Sequence, residues 1–123
     1  MKLLGGQKAK RAPRSLKLSE KTVTQACRDW LRVERWYTIR LNSGLMATPD
    51  GRRIRVGEKG LPDWIAVRGG DYTLIEMKAS GKKLSEDQEA FFRFAAANGL
   101  NAIWCDGVGS LIEQMQKKFP FEN

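Results

Sequence analysis

Asp63, Glu76 and Lys78 are the side chains whose types and spacing could carry chemistry in this 123-residue chain. Residues 63–68 and 72–78 read as two β-strands meeting at Gly69-Gly70, a two-residue hairpin signal. In that register Arg68 faces Asp71. Counting back along both strands sets Asp63 opposite Glu76, with Cβ atoms about 5 Å apart. Lys78 lies two residues beyond Glu76 and so falls on the same sheet face. Like charges placed opposite each other are destabilising unless something neutralises them. A hard divalent cation does so, because carboxylate oxygens are the ligands that Mg²⁺ or Mn²⁺ prefer. A lysine beside the ion can orient or help deprotonate a water and offset developing charge, which suits attack on a phosphodiester. The alternative is structural, with Asp63 as a strand-start turn residue and Glu76 and Lys78 as a surface ion pair. The neighbours shift the balance: Leu74, Ile75 and Met77 are apolar, and an acid interrupting such a strand needs a reason.

The composition narrows the rest. The chain has no histidine, which removes Ser-His-Asp triads, Cys-His pairs and His-ligated zinc. Cys27 and Cys105 are too few for a multi-bridge scaffold, and neither has a second cysteine near it in sequence. Lys and Arg number 22 against 14 Asp and Glu, a formal charge of +8 that points to a polyanion, nucleic acid first. A hydrophobic fraction of 41% is enough for a core and excludes wholesale disorder. The apolar runs are too short for a membrane span, and the N-terminus lacks a signal peptide's apolar core. A cytoplasmic, reducing setting with no membrane partner is expected.

Periodicity and turn residues outline the helices and strands around these three side chains. Residues 1–18 carry Lys2, Lys8, Lys10, Arg11, Arg14 and Lys17 with no acid, and read as a flexible basic arm before a domain at 19–123. Ser19 is a helix N-cap, and Val23, Ala26, Cys27, Trp30 and Leu31 give helical spacing over 20–34, with Glu20 on the buried-side stripe. Residues 36–41 alternate as a strand that Asn42-Ser43-Gly44 ends. Pro49-Asp50-Gly51 turns a basic hairpin within 45–57 that carries Arg52, Arg53 and Arg55. After the two strands around Gly69-Gly70, Ser85 and Gln88 form a capping box for a helix whose stripe is Phe91, Phe92, Ala95 and Ala96. Asn98-Gly99 stops it. A strand at 101–105 and a helix at 110–118 complete the order α-β-(hairpin)-β-β-α-β-α.

Gly60-Leu61-Pro62-Asp63 followed by Glu76-Met77-Lys78 resembles the PD-(D/E)XK nuclease signature. With Glu20, Asn42-Ser43-Gly44, Arg52-Arg53-Ile54-Arg55 and Leu84-Ser85-Glu86-Asp87-Gln88 in order, residues 20–112 resemble the virus-type replication-repair nuclease (VRR-NUC) domain of that superfamily. The resemblance implies an α/β fold with a restriction-endonuclease-like αβββαβ core, a mixed central sheet flanked by helices. It implies a Mg²⁺- or Mn²⁺-dependent endodeoxyribonuclease. Asp63 and Glu76 would bind the metal with the Met77 carbonyl, Lys78 would position the water, and Glu20 would contact the metal or its water. Gln88 would hold Lys78 or the substrate.

Each accessory residue also has a plainer reading. Glu20 is equally a first-turn acid favoured by the helix dipole, and Gln88 equally a capping-box partner. Asn42 and Ser43 reach phosphate or make the turn. Arg52, Arg53 and Arg55 suit backbone phosphates or a solvated edge, and Lys82 and Lys83 are a further basic pair. Trp30 and Trp64 read as packing residues rather than base-stacking platforms. Small stand-alone proteins of the resembled family, often phage-encoded, are associated with Holliday-junction cleavage, whereas a larger eukaryotic relative acts on flaps. The expected protein is therefore a homodimeric four-way-junction resolvase in a bacterial cell or phage-infected host. Trp36, Phe119 and Phe121 are candidates for the dimer surface. The alternatives are a monomeric flap or nicking endonuclease, a catalytically inactive DNA-binding module, and a basic protein of ribosomal RNA.

Overall fold

Ser19 starts the first helix, its hydroxyl accepting the Thr22 N–H at 3.1 Å and satisfying one donor of the first turn. The computed structural model describes residues 17–41, 44–56 and 58–120, and only the backbone of 44–47 and 54–56. The basic arm thus lies almost entirely outside the described residues. The chain is anchored from Leu18, whose N–H donates to Ser80 Oγ while its carbonyl accepts the Ser80 N–H, both at 2.9 Å.

Helix α1 (Glu20–Val33) buries Val23, Cys27 and Leu31, as its spacing predicts. It closes in a Schellman turn. The Trp36 N–H donates to the Leu31 carbonyl at 2.8 Å, the Arg35 N–H donates to Arg32, and Arg35 sits at φ 70°. That turn folds Trp36 back into the core against Phe119, ring centroids 4.9 Å apart. Trp36 is 4% exposed, so it offers no dimer surface, contrary to its sequence reading.

The strands are β1 (Tyr37–Arg40), β2 (Gly44–Ala47), β3 (Arg53–Val56), β4 (Trp64–Arg68), β5 (Asp71–Met77) and β6 (Ala102–Cys105). Four of them form a mixed sheet in the order β1-β4-β5-β6, antiparallel except for the β5–β6 pair, while β2 and β3 make a separate antiparallel ribbon. Helix α2 (Glu86–Ala97) crosses between β5 and β6, and helix α3 (Val108–Lys118) follows, two residues earlier than the spacing suggests. The core αβββαβ order is α1-β1-β4-β5-α2-β6. This is an α/β fold with a restriction-endonuclease-like core.

The two sheet faces differ. Trp64, Ala66, Ile75, Met77, Ile103 and Cys105 pack with α1 and α3 into one buried cluster. Trp30 packs at its margin. Cys27 and Cys105, remote in sequence, meet there with sulfurs 3.8 Å apart. The hydrogen bond they share, and then burial, push the Cys27 thiol well above its ordinary range. The alternate residues, Asp63 and Glu76 among them, belong to the other face, where α2 packs against β6. Here α2 is shallower than its sequence suggests. Ala95 is buried, Phe91 and Phe92 are half-buried, and Ala96 and Phe94 are exposed. Among the described residues no helix is long and apolar enough to cross a membrane.

Candidate active site

The register of β4 and β5 builds the site. Gly69 and Gly70 take φ 52° and 91°, the positive values that a two-residue hairpin loop of type I′ needs. Arg68 accordingly pairs with Asp71 and Trp64 with Ile75. One step further, the Asp63 N–H donates to Glu76 Oε1 at 3.2 Å. The two acids therefore stand across from each other at the mouth of the β4–β5 pair. The Asp63 carbonyl accepts the Leu41 N–H at 2.7 Å, which extends the β1–β4 pairing to this point.

Glu76 is 3% exposed, an unusual burial for a carboxylate. Its second oxygen, Oε2, accepts from Gln88 Nε2 at 3.3 Å and lies 3.8 Å from Lys78 Nζ. Lys78 is itself only 17% exposed at the side chain, and its N–H is held by the Cys105 carbonyl at 2.8 Å. Burial first, and the Asp63 charge second, push the Glu76 carboxyl up to about 7. Lys78 and the Asp63 N–H pull the other way, and Glu20 adds a small further rise.

Gln88 performs two tasks with one amide. Its Oε1 accepts the Ser85 N–H at 2.8 Å, completing the capping box, while its Nε2 reaches Glu76. Gln88 thus stands beside the site, as the resemblance implies, with Glu76 as its side-chain partner. Gly60 holds the helix in place for this. At φ 83° its Cα approaches the Asp87 carbonyl so closely that an added Cβ would lie 2.3 Å from that oxygen. Lys59 reinforces the contact with an ion pair to Asp87 at 3.2 Å.

Glu20 is exposed rather than buried with its stripe, since it occupies the first turn of α1. It lines a cleft of about 350 Å³ together with Asp63, the basic Lys21, Arg28 and Arg40, and Trp64. The basic residues of this cleft were not singled out from the sequence. Their signal is the spacing of Lys21, Thr24, Gln25 and Arg28, one polar helical stripe beside the apolar one. Of the other expected contacts, Arg53, Lys82 and Lys83 are exposed, and Arg52 pairs with Asp50 at 3.5 Å. Asn42, Ser43, Phe121 and the Arg55 side chain lie outside the described residues.

Among the described residues, no group of three or more His, Cys, Asp or Glu side chains is placed to hold a metal ion. The donor set on offer is the Asp63 and Glu76 carboxylates with the neighbouring Met77 carbonyl. This set fits Mg²⁺, which binds through one or two carboxylates and takes its remaining ligands from water and phosphate. The buried Glu76 carboxylate facing Asp63 supports the fit, because a cation would offset the burial and then the Asp63 charge that hold its proton on.

The VRR-NUC domain model matches residues 42–109, more than half of the chain. The match spans Asp63, Glu76, Lys78 and Gln88 and leaves out Glu20. No curated protein and no solved structure matches the chain. On the family match, the chain belongs to the VRR-NUC domain family and carries that family's nuclease-type function.

Proposed function

We propose that the protein is a Mg²⁺- or Mn²⁺-dependent endonuclease that cuts branched DNA, acting as a homodimer on four-way junctions. The observation that carries the metal-dependent reading is the buried Glu76 carboxylate opposite Asp63, with both its oxygens engaged and a lysine 3.8 Å away. A divalent cation bound by Asp63, Glu76 and the Met77 carbonyl would supply charge neutralisation and acidify a water. The chain's own groups do the rest. Gln88 and the Asp63 N–H fix the Glu76 carboxylate in one orientation. Lys78, held beside it, positions the attacking water and stabilises the negative charge that grows on the phosphoryl oxygens. The water oxygen bonds to phosphorus, one P–O ester bond breaks, and the departing oxygen takes up a proton. Glu20, which lines the cleft with Asp63, orders water there.

The dimer rests on a different observation. Tyr37 and Ile39, 69% and 43% exposed, sit on edge strand β1 and pair with the half-buried Val67 and Ile65 on the face away from α1. An apolar patch beside a strand edge that is unpaired among the described residues suits a second copy related by a two-fold axis. Two sites so related match the paired cuts a four-way junction requires.

A panel of labelled four-way junction, flap, nicked duplex and single-stranded DNA with Mg²⁺ or Mn²⁺ tests the substrate. Paired cuts confined to the junction are expected. Cutting confined to flaps or nicks would keep the nuclease and overturn the resolvase. Binding with no cutting on any substrate would leave a nucleic-acid-binding module.

A further inference from the structure

We propose that Arg28 and Arg40, both laid against the indole of Trp64, form a clamp for a phosphodiester of the DNA backbone next to the bond cut at Asp63. This deepens the nuclease reading of the same cleft and rests on it. Arg28 places its guanidinium carbon 4.4 Å from the Trp64 ring centroid, and Arg40 lies 5.5 Å from the same ring. Arg40 is also the cross-strand partner of Trp64, so β1 and α1 each deliver one arginine onto one platform. Trp64 is 6% exposed and lines the same cleft as Asp63, which ties the platform to the site.

Among the described residues neither guanidinium is within ion-pair distance of a carboxylate. Arg28 is half-buried, and its one hydrogen bond there is a long one, Nε to Thr38 Oγ1 at 3.4 Å. A guanidinium carries five N–H donors, and stacking on an aromatic face uses none of them. Two stacked forks that line one cleft, with most of their donors unused among the described residues, present the planar donor arrangement that phosphate oxygens match. Lys21 adds a third positive charge to the lining of this cleft.

Arg68 shows what an arginine in a structural role looks like in this fold. It too stacks on a tryptophan, 4.3 Å from the Trp36 ring, but its Nη1 donates to the Glu34 carbonyl at 3.0 Å. That fork caps the end of α1. The two arginines on Trp64 have no such partner among the described residues.

The test uses the full-length chain carrying Glu76→Gln, so that binding is read without cutting. Affinity for a labelled four-way junction and a matched duplex, both lacking terminal phosphates, is measured across salt concentrations. Arg28→Ala and Arg40→Ala are each expected to weaken binding roughly tenfold and to lower the slope of log K against log salt by about one. Arg68→Ala is expected to leave the slope unchanged. Arg40 is exposed on a strand edge, so Arg40→Ala reads the clamp even if Arg28→Ala disturbs α1. Unchanged slopes in both variants, or an equal change in Arg68→Ala, would overturn the clamp. A loss that appears only on DNA bearing a 5′-phosphate would also overturn it, reassigning the site to strand ends. A wild-type protein that cuts nothing would sink the nuclease reading alone, while the slopes still decide the clamp.

Discussion

Ionising Glu76 costs the metal-free fold roughly 3 kcal/mol, the free energy of raising a carboxyl from 4.5 to about 7. The sign follows from the direction. The folded value lies above the unfolded one, so the stabilisation is fully present below pH 4.5 and is lost as pH rises through 7. In EDTA, Glu76→Gln is therefore expected to be more stable than wild type at pH 8, by up to about 3 kcal/mol, with the difference shrinking towards pH 5. Urea unfolding at the two pH values measures this, and equal differences at both would show that Glu76 is not held protonated. Part of this residue-scale picture was legible in the sequence. The Gly69-Gly70 loop length sets the register that brings Asp63 and Glu76 together, and the apolar neighbours of Glu76 announce its burial. That Gln88 can serve the capping box and the site together was legible too, but its bond to Glu76 was not, because a capping box describes a helix's own backbone and not what lies beyond it.

At the scale of elements, α2 is positioned by contact with the loop before β4. Gly60 needs both a positive φ and the absence of a Cβ, whereas Gly81 needs only the positive φ of 80° and faces open space. Gly81→Ala is expected to cost about 1 kcal/mol. Gly60→Ala is expected to cost more than about 2 kcal/mol and to lower cleavage as well, because the N-terminus of α2 must move and carries Gln88 with it. Thermal unfolding and initial rates of both variants separate the two effects; equal losses would show that the close approach to Asp87 does not matter. The order and type of the elements were readable from spacing and capping residues. How deeply α2 packs was not. Phe91, Phe92, Ala95 and Ala96 at helical spacing define a face, but spacing does not say how much of it the sheet covers.

Among the described residues, one sheet face is closed by α1 and α3 and the other is only partly covered, and Tyr37 and Ile39 extend that second face to an open edge. Replacing both with lysine is expected to convert a dimer to a monomer in sedimentation equilibrium with little change in unfolding midpoint, since neither side chain is buried in one copy. A wild-type protein that sediments as a monomer would remove this surface from the account. Long-range packing explains the whole-molecule features that sequence reasoning missed. Trp36 is buried because the turn at Arg35 folds it beneath Phe119, and Cys27 meets Cys105 across 78 positions of chain.

On the proposed function, Asp63, Glu76 and Lys78 form one metal-dependent site for phosphodiester hydrolysis. The decisive experiment is single-turnover cleavage of a labelled four-way junction by wild type, Asp63→Ala and Lys78→Ala in Mg²⁺, Mn²⁺ and EDTA. Cleavage by wild type in either metal is expected, with none in EDTA and a loss of at least roughly a hundredfold in each variant. Cleavage that persists in EDTA, or that survives in Asp63→Ala at the wild-type rate, would contradict it.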